Sequence, residues 1–224
     1  MPRFFIYAFG VVYLYRMSDF ARTIEWYDKN AAHYTNSIMS VMPTGDIDMF
    51  LRYTVKTPYV LEAGCGPGRE TKIFCDKKVT TTGVDLSEGL LQIARKENPA
   101  TEFIVADFKK LPFANGTFDG VFARASLVHC ESVEDVLASL REFYRVLKKS
   151  GTVFIAVKQR QGDVVTEVVS DVIAKEGRFF RYYSVDELRD LLHQSNFEIL
   201  HEEIHQDKMG RGDVSWIKMV ARKI

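Results

Sequence analysis

Residues 58–71 read Pro-Tyr-Val-Leu-Glu-Ala-Gly-Cys-Gly-Pro-Gly-Arg-Glu-Thr. The apolar run Tyr59, Val60, Leu61 closes on Glu62. Gly64, Gly66 and Gly68 follow with one residue between each, and a helical pattern begins after them. A buried strand that feeds a glycine turn and then a helix is a nucleotide-binding device. The glycines reach left-handed dihedrals and let a ligand lie on bare backbone. Glu62 adds a constraint, because an acid beside the loop repels phosphate. The loop suits a cationic or neutral nucleoside and not a pyrophosphate.

Outward from this loop, strands and helices alternate. Strands are expected over 58–63, 79–84, 102–106, 118–123 and 152–157, with two more at 196–201 and 216–221. Helices are expected from 68 to about 76, from Ser87 to Lys96, from about 132 to 147 and from Ser184 to His193. Residues 18–34 are helical in pattern, Asp46 is placed to cap a helix to about 55, and 159–177 turns helical after a polar start. Gly210 and Gly212 fall in the loop between the last two strands. Alternation of this kind predicts an α/β fold: a doubly wound, mostly parallel sheet with helices on both faces and right-handed crossovers. Ligands of such sheets sit beyond the carboxyl ends of the strands, at the switch point beside the first.

Glu62, Asp85 and Asp107 end the first three of these strands, on one rim of the sheet. Asp85 is placed to accept both ribose hydroxyls. Asp107 is placed to accept an exocyclic amine, Phe108 to pack on a base, and Glu62 to reach an ammonium group. Singly, each acid reads as a cap or a solvated residue. At three successive strand ends the ligand reading prevails.

The chain of 224 residues suits one domain with small additions. Its 30 basic and 30 acidic residues cancel, so no global pull toward nucleic acid or anionic membrane exists. Cys65, Cys75 and Cys130 lack paired-ligand spacing and read as reduced thiols of a cytosolic protein, with no metal site. Cys65 reads as a small residue in a tight turn. Phe4 to Tyr15 is nearly all apolar between Arg3 and Arg16, too short to span a bilayer. Met17-Ser18-Asp19 resembles a natural start, which makes 1–16 an upstream extension or a short membrane-surface anchor. The organisation expected is therefore an extension at 1–16, a helical cap at 17–57 and the main domain at 58–224, without stable membrane insertion.

The motifs together resemble class I S-adenosylmethionine-dependent methyltransferases. Val60 to Gly68 is similar to their first motif and Gly83-Val84-Asp85-Leu86-Ser87 to their second. Ala106-Asp107-Phe108, Leu111-Pro112-Phe113 and Phe118-Asp119 resemble the third- and fourth-strand segments. Leu147-Lys148-Lys149-Ser150-Gly151 resembles the turn before the fifth strand. Glu62 replaces the commoner Asp, and Lys149-Ser150 replaces Pro-Gly. The resemblance implies a Rossmann-like sheet of seven strands whose last strand is antiparallel and inserted between the fifth and sixth. It implies S-adenosylmethionine as cofactor, held by Glu62, Ala63, Gly64, Cys65, Gly66, Gly68, Asp85, Leu86, Ser87, Asp107, Phe108, Arg124 and Ala125.

His129, in Ser126-Leu127-Val128-His129-Cys130, is the candidate to orient the acceptor or take a proton, and a structural His is the equal alternative. Arg178-Phe179-Phe180-Arg181-Tyr182-Tyr183 and Trp216 resemble the small bacterial branch labelled tellurite-resistance-like, or methyltransferase type 11. There Arg178, Arg181 and Tyr182 would border the substrate opening, while Tyr27 and Tyr34 of the cap would cover the pocket. The expected activity is cytoplasmic methyl transfer to a small-molecule acceptor. A tRNA wobble-uridine methyltransferase and a non-catalytic S-adenosylmethionine-binding protein are the alternatives. An NAD-dependent oxidoreductase wants Gly-x-Gly-x-x-Gly, and here the third glycine comes one residue early.

Overall fold

A computed structural model describes residues 4–8, 11–15, 17–170, 177–206 and 214–224. Gly210, Gly212 and part of the expected 159–177 helix lie outside the described residues. The core is a seven-stranded sheet. Its strands are β3 (Tyr59–Ala63), β4 (Thr80–Asp85), β5 (Glu102–Val105), β6 (Phe118–Arg124), β7 (Leu147–Lys158), β10 (Phe197–Gln206) and β11 (Ser215–Lys223). In space they run β10-β11-β7-β6-β3-β4-β5. β3 pairs in parallel with β4 and β6, while β11 is antiparallel to both β7 and β10. The last strand is thus inserted between the fifth and sixth core strands, and the order reverses at β3, the switch point.

Alternation along each strand explains the two layers. Leu61, Val121, Ala123, Val153, Ile155, Met219 and Ala221 face α6 (Val133–Val146) and α7 (Val185–Gln194), burying Leu140, Phe143, Leu188 and Leu192. Val60, Phe122, Phe154, Ala156 and Val220 face α3 (Thr44–Leu51) and α4 (Arg69–Asp76), against Ile47, Phe50 and Phe74. On that face the Phe122 and Phe154 rings stack with centroids 4.5 Å apart. Serine caps begin four helices: Ser18 for α1 (Asp19–Lys29), Ser87 for α5 (Glu88–Glu97), Ser132 for α6 and Ser184 for α7, each accepting the amide three residues on.

Three expectations change. The cap helix over 18–34 is two helices, α1 (Asp19–Lys29) and α2 (Ala31–Ile38), because Asn30 leaves helical geometry and folds its side-chain amide onto the Trp26 carbonyl. Asp46 does not cap α3, which starts after Pro43. It lies in the first turn of α3 and is buried in ion pairs. In place of helix before the sixth core strand stands an antiparallel hairpin, β8 (Thr166–Ser170) with β9 (Gly177–Arg181). Its β-branched residues and paired aromatics supply strand preference. At the amino end, β1 (Phe4–Ala8) pairs antiparallel with β2 (Val11–Tyr15).

The cap is fastened to this hairpin. The Phe179 amide donates to Thr23 Oγ1 at 2.9 Å, and the Phe20 amide donates to Glu131 Oε1 at 3.0 Å. Trp26, Tyr27 and Ala31 pack with Leu90 of α5. The cap therefore roofs the carboxyl rim of the sheet.

Candidate active site

Beneath that roof lies a cavity of about 630 Å³, within the usual range of small-ligand sites. The glycine loop forms its floor. Gly64, Gly66 and Gly68 all have positive φ, at 77°, 53° and 79°. A Cβ on Gly66 would project into open space, so this backbone is bare toward the cavity. A Cβ on Gly64 would strike the Ser126 Cβ at 2.5 Å, so that glycine admits the neighbouring strand end. Gly68 has another role. A Cβ there would meet Asn98 Nδ2 at 2.6 Å, and Asn98 donates to the Gly68 carbonyl, so this glycine packs α4 against α5.

Asp85 ends β4 at the cavity edge. Its Oδ2 accepts the Gly66 amide at 2.8 Å and its Oδ1 accepts the Ser87 amide at 2.9 Å. Each oxygen retains a lone pair for a ligand. Burial pushes its carboxyl above the usual range against the pull of these amides. Leu86 and Phe108 line the same part of the wall. Ser87 does not line it. Its hydroxyl donates to Asp28 Oδ1 at 2.7 Å, which ties the cap to the start of α5.

Glu62 and Asp107 are placed differently from the sequence expectation. Glu62 shares the face of β3 that carries Val60, so it points under α4 and takes the Thr71 hydroxyl. It is buried and does not line the cavity. Burial first, and the nearby Glu70 second, hold its carboxyl well above the ordinary range. The acid that lines the cavity beside the loop is Glu70. Asp107 turns back on its own chain, accepting the Lys109 amide at 2.8 Å, and does not line the cavity either. Ala63 is fully buried in β3 behind the loop. Cys65 lines the cavity, but burial raises its thiol far above the range of a nucleophile.

Arg124 and Ala125 follow β6 into the wall. Ala125 holds φ at 57°, an uncommon conformation for a residue with a Cβ. Beyond this turn Ser126 lines the cavity. Its hydroxyl is buried and has no protein hydrogen-bond partner.

Sequence reading missed a row of charges that starts beside the loop and runs along one wall. Asp46 Oδ2 accepts Arg124 Nε at 2.8 Å, and its Oδ1 accepts Lys218 Nζ at 2.6 Å. Lys218 also pairs with Glu203 at 3.1 Å, and Arg124 with Glu70 at 3.5 Å. Arg69 closes the row on Glu70 and donates to the carbonyls of Ile38 and Val41 at 3.1 and 3.2 Å. Trp216 lies beside it, with the Arg124 guanidinium 5.6 Å from its ring centre.

At the roof, Tyr27 and Tyr34 both line the cavity, with ring centres 4.9 Å apart. His129, in a 3₁₀ turn (Leu127–His129), lines it too. The Tyr27 hydroxyl lies 3.0 Å from His129 Nε2, and His129 Nδ1 lies 2.7 Å from the Phe179 carbonyl oxygen. Burial chiefly, helped by Arg178 and Lys158, lowers His129 to about 4. Arg178 lies behind the tyrosines, 4.4 Å from the Trp26 ring centre, and not on the wall. Arg181 and Tyr182 are drawn elsewhere: Arg181 pairs with Glu187 at 2.6 Å, and the Tyr182 hydroxyl donates to Glu167. Neither lines the cavity, because Glu187 and Glu167 hold their polar ends away from it.

Residues 61–155 match the family described as a methyltransferase domain. The chain is 35% identical over 92 residues to a malonyl-[acyl-carrier protein] O-methyltransferase from Enterobacter lignolyticus, covering 41% of this chain and 36% of that protein. It is 32% identical over 155 residues to an O-methyltransferase from Pyrenophora dematioidea, covering 63% of this chain and 55% of that one. The matches thus span about a third to just over half of the curated relatives' length. Among solved structures, the chain is similar to the 1,6-didemethyltoxoflavin-N1-methyltransferase of Burkholderia thailandensis, a crystal structure with 1,6-didemethyltoxoflavin and S-adenosylhomocysteine bound. The TM-score is 0.72 at 20% identity, over 91% of this chain and 88% of that one. That likeness is one of fold.

Proposed function

We propose, from the premise that residues 61–155 are a methyltransferase domain of the class I, type 11 branch, that this protein transfers a methyl group from S-adenosylmethionine to a small molecule. On this reading residues 17–57 are the cap and 58–224 the catalytic domain, working in the cytosol. Among the described residues, no helix is long and apolar enough to cross a membrane.

The observation that carries the proposal is the meeting of four features in one cavity: bare backbone at Gly66, the half-buried Asp85 carboxylate, the apolar pair Leu86 and Phe108, and the unpartnered Ser126 hydroxyl. These residues fit S-adenosylmethionine. Asp85 would hold the ribose hydroxyls, Leu86 and Phe108 the adenine, and Gly64, Gly66, Ser126 and Glu70 the amino-acid end. When bound, the cofactor supplies an electrophilic methyl group on a sulfonium sulfur.

The protein's own task is positioning and exclusion of water. The roof of Tyr27 and Tyr34 covers the rim, and the charged row of Asp46, Arg124 and Lys218 forms one wall. A cavity of about 630 Å³ roofed by the cap and zero net charge favour a small acceptor over tRNA.

Calorimetry with S-adenosylhomocysteine and with NAD tests the cofactor. Micromolar binding of the first and none of the second is expected, and absence of S-adenosylhomocysteine binding would falsify the proposal. Labelled methyl transfer into cell extract, with and without RNase, separates a small acceptor from RNA.

A further inference from the structure

The hydrogen bonds at the roof of the cavity run in one direction. A carbonyl oxygen only accepts, so the contact with Phe179 places the His129 hydrogen on Nδ1. The ring is neutral, because burial and the cations Arg178 and Lys158 oppose its protonation. Nε2 therefore carries a lone pair, and the Tyr27 hydroxyl donates to it across 3.0 Å. Arg178 Nη1 donates in turn to the Tyr27 oxygen at 3.2 Å. The Tyr27 hydrogen is committed to His129, and the oxygen can offer the cavity only its remaining lone pair.

We propose that Tyr27 is a catalytic residue that passes the acceptor's proton to His129, and that the acceptor is a neutral hydroxyl-bearing molecule and not a carboxylate. The proposal rests on the methyl-transfer reading above. The acceptor hydroxyl donates to the Tyr27 oxygen while its own oxygen forms the new bond to the methyl carbon. The carbon–sulfur bond breaks with its electron pair left on sulfur. The acceptor proton moves to the Tyr27 oxygen, and the Tyr27 proton moves to His129 Nε2. The positive charge lost at sulfur reappears on the imidazolium, whose Nδ1–H stays on the Phe179 carbonyl. The site's net charge does not change, so the step buries no additional ion.

A carboxylate acceptor has no hydrogen to give, and would set lone pair against lone pair at Tyr27. The cation that would welcome it, Arg178, is enclosed by Trp26, Tyr27, Tyr34 and Phe180, with ring centres at 4.4, 5.5, 5.6 and 5.4 Å.

Nitrogen-15 NMR of histidine-labelled, cofactor-free protein tests the arrangement, with phenol and benzoate as probes. The Nδ1–H form with a hydrogen-bonded Nε2 is expected. Phenol should shift the His129 Nε2 resonance and benzoate should not. Tyr27→Phe should abolish the response to phenol while leaving S-adenosylhomocysteine affinity within about threefold. An equal response to benzoate, or a response that survives Tyr27→Phe, overturns the proposal.

Labelled methyl transfer to matched aromatic alcohols, phenols and carboxylates is the second measurement. Transfer to the hydroxyl compounds, falling about 100-fold in kcat in Tyr27→Phe, is expected. His129→Asn is the companion variant should Tyr27→Phe not fold, with the same loss expected. Transfer confined to carboxylates, or transfer to neither class by protein that binds S-adenosylhomocysteine, overturns the proposal. If S-adenosylhomocysteine itself fails to bind, the methyl-transfer reading falls, and the phenol response of His129 still judges the Tyr27 arrangement separately.

Discussion

The Gly66 amide donates to Asp85 Oδ2 at 2.8 Å, across nineteen residues of chain. One carboxylate therefore fixes the shape of the glycine loop and also faces the cavity that the loop floors. Asp85→Ala removes both contributions. S-adenosylhomocysteine affinity is expected to fall about 10- to 100-fold, the size of lost charge-assisted hydrogen bonds. Titration calorimetry measures it, and an unchanged affinity would place the ribose elsewhere.

Gly66 and Gly68 separate binding from stability. Gly66→Ala puts a methyl group into the cavity at a φ of 53°, and costs about 1 kcal/mol in backbone strain. Its main effect is expected on ligand affinity. Gly68→Ala adds to similar strain a clash with Asn98, and its main effect is expected on melting temperature. Thermal scans with and without S-adenosylhomocysteine distinguish the two, and equal profiles would contradict the assignment.

Asp46 is the only acid paired with both Arg124 and Lys218 among the described residues. Asp46→Ala takes the shared carboxylate from Arg124 and Lys218, which keep only Glu70 at 3.5 Å and Glu203 at 3.1 Å. It is expected to destabilise the protein by about 1–3 kcal/mol, the size of lost hydrogen bonds between charged groups. Urea unfolding provides the number, and a loss below about 1 kcal/mol would mean that solvent screens the row.

His129 gives stability a pH dependence of definite sign. Its folded value is lowered from 6.5 to about 4, so between these values the unfolded chain takes up a proton that the folded chain refuses. The groups facing it are Tyr27, Arg178, Lys158 and the Phe179 carbonyl. Its contribution is full above pH 6.5 and is lost as pH falls toward 4, by roughly 3 kcal/mol in total. Unfolding of wild type and His129→Gln at pH 5 and pH 7.5 isolates it. The gap between the two proteins should widen with pH, and a constant gap counts against the lowered value.

The sheet was legible because its core strands are apolar runs, several of them closed by acids or glycines, and α1, α5, α6 and α7 each open on a serine. Asp85 and Phe108 were legible for the same reason: strand ends are fixed points of the fold. The side a carboxylate takes is harder to read. Glu62 follows Val60 in alternation and goes under α4, whereas Glu70, in the first turn of α4, faces the cavity. The Asp46–Lys218 and Tyr27–His129 contacts join segments far apart in the chain, and no local pattern marks them. β8 falls in the stretch expected to turn helical, because its strand character comes from pairing with β9 and its residues alternate poorly on their own.

The glycine loop, Asp85, Phe108 and His129 all fall within residues 61–155, while Tyr27, Tyr34, Asp46, Glu203 and Lys218 all fall outside. The floor of the cavity and most of its roof and charged wall are thus carried by separate stretches of polypeptide, which meet at Arg124 and His129. On the methyl-transfer reading proposed above, exchanging the outer stretches between relatives would change the acceptor taken while the inner stretch kept its hold on the donor.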